Sequence, residues 1–179
     1  MTHLTDDASV RLLVRKTRIG LVGLLMLEDV LQQTKFGRHS IVDLVNEFGI
    51  QKAPSHRKTE FEKTMLDEVE AYARGEEVDF QHWKIEMEHL SDFQKSVTDA
   101  CRAIPYGEMR SYGELATIAG SPGAARAVGT VMRRNRFPLI VPCHRVIGAG
   151  GSLGGYSAVD GTATKVRLLE LEGVTQFNG

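Results

Sequence analysis

The 179-residue sequence predicts an α/β protein in two parts, a small mixed α/β domain over residues 1–88 and a mainly α-helical domain over 89–179 that carries a helix-turn-helix. Three observations predict it. The longest strand-like apolar runs lie before Ser40; three capping boxes, Thr59 with Glu62, Ser91 with Gln94 and Ser111 with Glu114, open helices farther along; and a tight glycine-containing turn separates two short helical segments after Ser111.

The elements follow in order. Val10, Leu12 and Val14 alternate as on a half-buried strand, and Ile19 to Leu27 is an apolar run; Glu28-Asp29 then turns the chain into a short strand, Val30 to Gln33. Ser40 can cap a short helix through Phe48, and QKAPSHRKT reads as a polar loop. The helix opened by Thr59 places Phe61, Met65, Val69 and Tyr72 on one face, and Gly75 can end it. Residues 76–90 form the connection, with Trp83 and Ile85 packed against a neighbour. The helix opened by Ser91 carries Phe93, Val97, Cys101 and Ile104 in one stripe, which reads Cys101 as a core thiol.

Ser111 starts a short helix that stops near Gly120. Ser121 and Pro122 read as the N-cap and first residue of the next, which runs to about Asn135. In that second helix Ala124, Val128, Val131 and Met132 can face the core, while Arg126, Thr130, Arg133 and Arg134 lie opposite with Gly129 between them. Small residues beside arginines let a helix backbone approach phosphates; an ordinary solvated basic face is the alternative reading.

Charge distribution bears on the same choice. Residues 1–90 hold 12 Lys and Arg against 16 Asp and Glu, whereas 91–179 hold 10 against 7. Arg102, Arg110, Arg126, Arg133, Arg134 and Arg136 share a stretch whose only acids are Glu108 and Glu114, so a polyanion would meet this half. No run approaches the roughly 18 apolar residues of a membrane span, and the N-terminus lacks the order of a signal peptide, which predicts no membrane and a cytoplasmic protein. Two distant cysteines, Cys101 and Cys143, suit a reducing compartment and make no disulfide framework or four-ligand zinc site. His3, His39, His56, His82 and His89 show no ligand spacing, so no metal is expected.

After Pro138 the segment Leu139-Ile140-Val141 reads as a short strand ending at Pro142-Cys143-His144-Arg145-Val146. A cysteine at a strand end can be presented by a rigid element, and as a nucleophile it needs a base, cation or helix N-terminus to lower its pKa. His144 is the nearest base, but neighbours on a strand point to opposite faces, so a bridging water or a bend is required. Glu172 reads either as a surface carboxylate at a helix end or, because its charge opposes the helix dipole there, as the partner of a group such as His144. A Cys-His pair alone is weak evidence.

Taken together, the segment from Phe93 to Gly173, with PCHRV, AARAVG and the LeuLeu-x-x-GluGly ending, closely resembles the O6-alkylguanine-DNA alkyltransferase family, the methylated-DNA-protein-cysteine methyltransferases. The first half is a weaker match, placed where the family has a ribonuclease-H-like domain; the second half is implied to be winged-helix-like, and the chain a complete two-domain member. The resemblance implies a DNA repair protein that flips a nucleotide out of double-stranded DNA and accepts the alkyl group of O6-alkylguanine, or O4-alkylthymine, on Cys143, once and irreversibly. It implies that His144 draws off the proton through water, that Glu172 orients His144, and that Asn135 holds the active-site turn. Arg126 is implied as the finger that enters the duplex and Tyr112 as the residue that helps rotate the target phosphate. Ala125, Gly129, Thr130 and Arg133 contact the minor groove; Met132, Pro138, Tyr156 and Ser157 line the guanine pocket. No cofactor is implied, and a monomer is expected.

The N-terminal half has no cysteine of the kind that holds a structural zinc there in some relatives, and the loop after Tyr156 is slightly longer than the family's tightest version, so tolerance for bulky alkyl groups stays open. Two rival readings stand beside this one. A helix-turn-helix regulator that senses alkylation would need a further module, and a cysteine hydrolase using Cys143, His144 and Glu172 would turn over repeatedly.

Overall fold

The computed structural model describes residues 9–50 and 58–177; the expected 51–59 loop falls largely outside them, as do His3 and His56. The chain divides into two units, residues 1–78 with 83–86, and 79–82 with 87–179.

In the first unit, β1 (Val10–Thr17), β2 (Gly20–Leu27) and β3 (Val30–Arg38) form an antiparallel sheet with β2 in the centre. A central strand covered on both faces cannot alternate, which is why Ile19 to Leu27 reads as a continuous apolar run. Leu21 and Leu25 join Val10 and Leu12 under α1 (Ile41–Phe48), packed with Leu44, Phe48 and Ile50. Gly23 faces the same helix: a Cβ there would lie 2.8 Å from Leu44 Cδ2 and 2.7 Å from Phe48 Cε2, so the helix rests on the bare backbone. Ser40 caps α1 by accepting from the Val42 amide.

Against β1 lies α2 (Glu60–Ala73), tied to it by Arg11–Glu62 at 2.9 Å, Arg15–Asp67 at 2.7 Å and Arg15–Glu70 at 2.6 Å. Its capping box forms as expected, but the buried stripe does not begin at Phe61. That residue is 39% exposed, and Glu62 is buried instead, its carboxylate held by the Thr59 amide and Arg11. Strand β3 runs five residues beyond the expected Gln33, because Thr34 and Phe36 continue to bury side chains against β2. Within the predicted connection, Ile85 returns to β3 by a bridge to Leu31, and the Trp83 indole donates to Glu68.

The second unit is mainly helical: α3 (Asp92–Arg102), α4 (Tyr112–Ile118), α5 (Ala125–Arg133) and α6 (Thr162–Leu171), with a short parallel pair, β4 (Arg110–Ser111) and β5 (Val146–Ile147). Both further capping boxes are present. Cys101 is fully buried on α3, and Phe93, expected on that stripe, is only half-buried near the helix start.

Two expectations are corrected here. The second helix of the helix-turn-helix begins at Ala125, not at Pro122, because Gly123 takes φ +84° and the Ala124 amide closes a turn on the Ser121 carbonyl. Leu139-Ile140-Val141 is no strand. The Val141 amide bonds back to the Phe137 carbonyl at 2.8 Å, and Leu139 adopts φ +77° to make that turn.

Candidate active site

The reversed turn after α5 delivers Cys143, and Asn135 holds it. The Asn135 Nδ2 donates to the Val141 carbonyl at 2.8 Å and lies 3.1 Å from Cys143 Sγ, while its Oδ1 accepts from the Phe137 amide at 2.9 Å. One side chain therefore spans the turn from both ends and touches the sulfur. A positive φ at a leucine costs roughly 1–3 kcal/mol and persists only where surrounding bonds enforce it. Asn135→Ala is expected to remove about 1–3 kcal/mol of stability and raise the thiol pKa; denaturant titration and the pH dependence of thiol alkylation check both.

Cys143–Arg145 is a single turn of 3-10 helix, not a strand end. The objection that Cys143 and His144 must face opposite ways therefore lapses, yet His144 does not turn to the sulfur. Its fully buried ring reaches Glu172, with Nε2 2.7 Å from Oε1, while the sulfur is engaged by Asn135.

Glu172, 5% exposed at the C-terminal cap of α6, is no surface carboxylate. Its Oε1 also accepts from Arg145 Nη2 at 3.0 Å, and its Oε2 accepts from Arg145 Nε at 2.9 Å and the Gly107 amide at 3.2 Å. Arg145 reaches on to the Ile104 carbonyl at 2.6 Å and lies over the Tyr106 ring, whose hydroxyl donates to the Leu171 carbonyl. Sequence reasoning missed Arg145, Tyr106 and Gly107. Only the presence of Arg145 beside His144, opposite an acid, could have pointed to them.

The electrostatics are those of a resting site. Burial pushes the Cys143 thiol up, against opposing help from Asn135, the charge of Lys165 and Tyr156, so the depressed thiol expected of a nucleophile is not found. Burial also lowers His144 by more than Glu172 raises it, which leaves the imidazole neutral. Burial works to raise Glu172 too, but the bonds and charges of His144 and Arg145 hold it at about 2. An ionised Glu172 must accept from Nε2–H, so the base lone pair of His144 sits on Nδ1.

Around this centre, Tyr112 begins α4 with its ring about 3.9 Å from where a Gly129 Cβ would stand and its hydroxyl 3.6 Å from that of Gly154, so it fills the space between α5 and the segment before Tyr156. Arg126 and Arg133 are exposed on α5, as is Arg134 at its C-terminal cap, and Ala125, Gly129 and Thr130 are half-buried, Thr130 bonding back to the Arg126 carbonyl. Met132 is buried, Pro138 and Tyr156 are half-buried, and Ser157 is exposed; of these, Tyr156 bears on the Cys143 thiol, working to lower its pKa. Among the described residues no cluster of His, Cys, Asp and Glu could hold a metal ion, and no helix is long and apolar enough to cross a membrane.

Residues 92–174 match the family described as the DNA-binding domain of 6-O-methylguanine DNA methyltransferase. A methylated-DNA–protein-cysteine methyltransferase of Mycobacterium leprae is 50% identical over 108 residues, 60% of this chain and 62% of that protein, so the chain spans less than two thirds of its length in that match. One from Methanosarcina acetivorans is 49% identical over 114 residues, covering 64% of this chain and 70% of its own. The crystal structure of Mycobacterium tuberculosis OGT in complex with DNA superimposes with a TM-score of 0.69 at 37% identity, over 91% of this chain and 92% of that one.

Proposed function

The chain belongs to the methylated-DNA–protein-cysteine methyltransferase family, and from that premise we propose that it repairs double-stranded DNA by direct reversal, moving the alkyl group of O6-alkylguanine, and of O4-alkylthymine, onto Cys143. The observation that carries the reading is the sulfur held by Asn135 in the same turn as an imidazole fixed by a buried, ionised Glu172.

A base inside a duplex hides its O6 substituent, so the nucleotide is first turned out, at a cost of a few kcal/mol of stacking. The exposed face of α5 suits the minor groove, where Ala125, Gly129 and Thr130 leave room and Arg126 and Arg133 meet phosphates and the gap left by the base. Tyr112 helps rotate the target phosphate. Met132, Pro138, Tyr156 and Ser157 receive the extruded base.

The thiol proton then passes through a water to Nδ1 of His144, and Glu172 compensates the charge that develops on the ring. The thiolate attacks the alkyl carbon in line; the carbon–sulfur bond forms, the carbon–oxygen bond breaks with its electron pair going to guanine, and guanine takes up a proton. No electrons are gained or lost, so the reaction as written uses no cofactor. A raised resting thiol fits this sequence, since the proton leaves only when substrate displaces water and the relay is assembled.

The product is a thioether, which neither water nor a second thiol reverses, so one molecule repairs one lesion. A monomer in the reducing cytoplasm suffices for this chemistry. On incubation with an excess of methylated duplex, a single methyl mass is expected on the peptide containing Cys143, and the lesion count should fall by one per protein and stop. Continued turnover on an ester or amide would favour a hydrolase instead, and lesion binding with no mass gain would favour a sensor.

A further inference from the structure

Tyr106 and Gly107 take no part in the proton path just described, yet both residues, in the loop between α3 and β4, bond to the end of α6 that presents Glu172. The last four carbonyls of a helix have no amide partner within it. Those of Leu168, Leu169 and Glu170 receive the amides of Glu172, Gly173 and Val174. That of Leu171 receives the Tyr106 hydroxyl at 2.9 Å, across 65 residues of chain. Gly107 completes the contact: its amide donates to Glu172 Oε2 at 3.2 Å, and a Cβ on it would stand 3.1 Å from the Glu172 carbonyl oxygen. So close an approach is possible because the Glu108 amide closes a turn on the Pro105 carbonyl with Gly107 at φ +75°, a turn position that glycine takes without strain.

The half-buried Tyr106 ring has a second contact. The Arg145 guanidinium lies 5.9 Å from its centroid, within reach of cation–π attraction, and the same guanidinium bonds both oxygens of Glu172. One tyrosine thus touches both the backbone that carries the acid and the cation that holds it.

We infer that Tyr106 is a positioning residue for the alkyl transfer proposed above: its hydroxyl fixes the end of α6, its ring fixes Arg145, and together they hold Glu172 against the imidazole of His144. The inference rests on that reading for the reaction served, not for the placement of the acid. A carboxylate that compensates charge on a ring must already stand at hydrogen-bond distance when the charge develops, and Oε1 is 2.7 Å from Nε2. Glu172 is the C-terminal cap of α6, and helix ends fray, so the bond to the Leu171 carbonyl acts where the helix itself holds the acid least.

The test compares the full-length wild type, Tyr106→Phe and Tyr106→Leu in two measurements. Phenylalanine removes the hydroxyl and keeps the ring; leucine removes both. The first measurement is the rate of benzyl transfer from free O6-benzylguanine to Cys143 as its concentration is raised. The limiting rate is expected to fall about threefold in Tyr106→Phe and about tenfold in Tyr106→Leu, with the half-saturating concentration unchanged, because binding the base does not draw on the imidazole. The second is the Nε2–H resonance of His144 in 15N-histidine-labelled protein. Bonded to an ionised carboxylate, this proton lies far downfield and exchanges slowly with water. In Tyr106→Leu it should move upfield and exchange faster, with Tyr106→Phe in between.

A tyrosine that served stability alone would lower the unfolding midpoint and leave both the limiting rate and this resonance of the folded protein in place, and that result overturns the inference. So does a resonance that moves with no change in rate, a rate that falls while the resonance stays, or a loss confined to the half-saturating concentration. Should Tyr106→Leu not fold, Tyr106→Phe decides by the same two readings. If the wild type takes no alkyl group from benzylguanine or from methylated duplex, the transfer reading fails by itself, and the resonance still tells whether Tyr106 holds the acid on the imidazole.

Discussion

Replacing Glu172 by glutamine is expected to lower the unfolding free energy by about 3–5 kcal/mol and to slow alkyl transfer by about 100-fold or more. The carboxylate accepts four hydrogen bonds, from His144 Nε2, from Arg145 Nε and Nη2, and from the Gly107 amide. Glutamine keeps one oxygen and puts an NH2 group among donors. Arg145, whose side chain is 7% exposed, is then left buried without a countercharge, and such half-removed pairs are the costly ones. The rate falls for a separate reason. Without an anion on Nε2–H the imidazole loses both its fixed orientation and the charge that stabilises its protonated form.

Acid sensitivity comes from the same centre. The folded pKa of Glu172, about 2, lies below the ordinary 4.5. Its contribution is therefore complete above pH 4.5 and drains away as pH falls toward 2, up to about 3 kcal/mol in all. His144, held neutral by burial, adds an earlier loss: below about 6.5 the unfolded chain takes up a proton that the folded ring refuses. Urea titrations at pH 7, 5 and 3 should show stability falling throughout in the wild type and flattening below pH 4.5 in Glu172→Gln. Parallel curves for the two proteins would remove Glu172 as the titrating group.

Much of this architecture is legible because its signals are local. A capping box needs only two side chains three residues apart, and those at Thr59, Ser91 and Ser111 all form. The continuous apolar run of β2 likewise announces a strand covered on both faces. What was illegible depends on backbone signs and on distant partners. Ser121-Pro122 is a sound helix start by composition, but Gly123 at φ +84° moves that start to Ala125. Leu139 has no residue-level reason to take φ +77°; Asn135, bonded to Phe137 and Val141 around it, imposes the turn. The same holds for charge. Arg145 and Lys165 look like solvated cations until the fold supplies Glu172, the Ile104 carbonyl and the carbonyls of Val146 and Leu153. Family resemblance led to Cys143, His144, Glu172 and Asn135, which the fold brings together; it did not lead to the buried cations beside them, Arg145 and Lys165.

Arg126→Ala should slow repair of a methylated duplex by roughly 30- to 100-fold while free O6-benzylguanine reacts at close to the wild-type rate. The two substrates differ in one step. Both must meet the sulfur, but only the duplex must surrender a stacked base, at a few kcal/mol. Arg126 is exposed on α5 and makes no contact that holds the acceptor turn, so its removal leaves the sulfur's setting, with Asn135 and Tyr156, as it was. In the proposed function the inserted guanidinium fills the vacated stack and bonds to the orphaned partner base. About 2–3 kcal/mol of that stabilisation, lost on truncation to alanine, corresponds to the factor given. Arg133 on the same helix provides the contrast, because a phosphate contact should lower affinity uniformly and reduce the salt dependence of binding by about one ion, with no preference for duplex over free base once DNA is bound. If Arg126→Ala slowed the two substrates equally, the side chain would be acting on the chemistry and not on extrusion, and the placement of α5 in the groove would have to be abandoned.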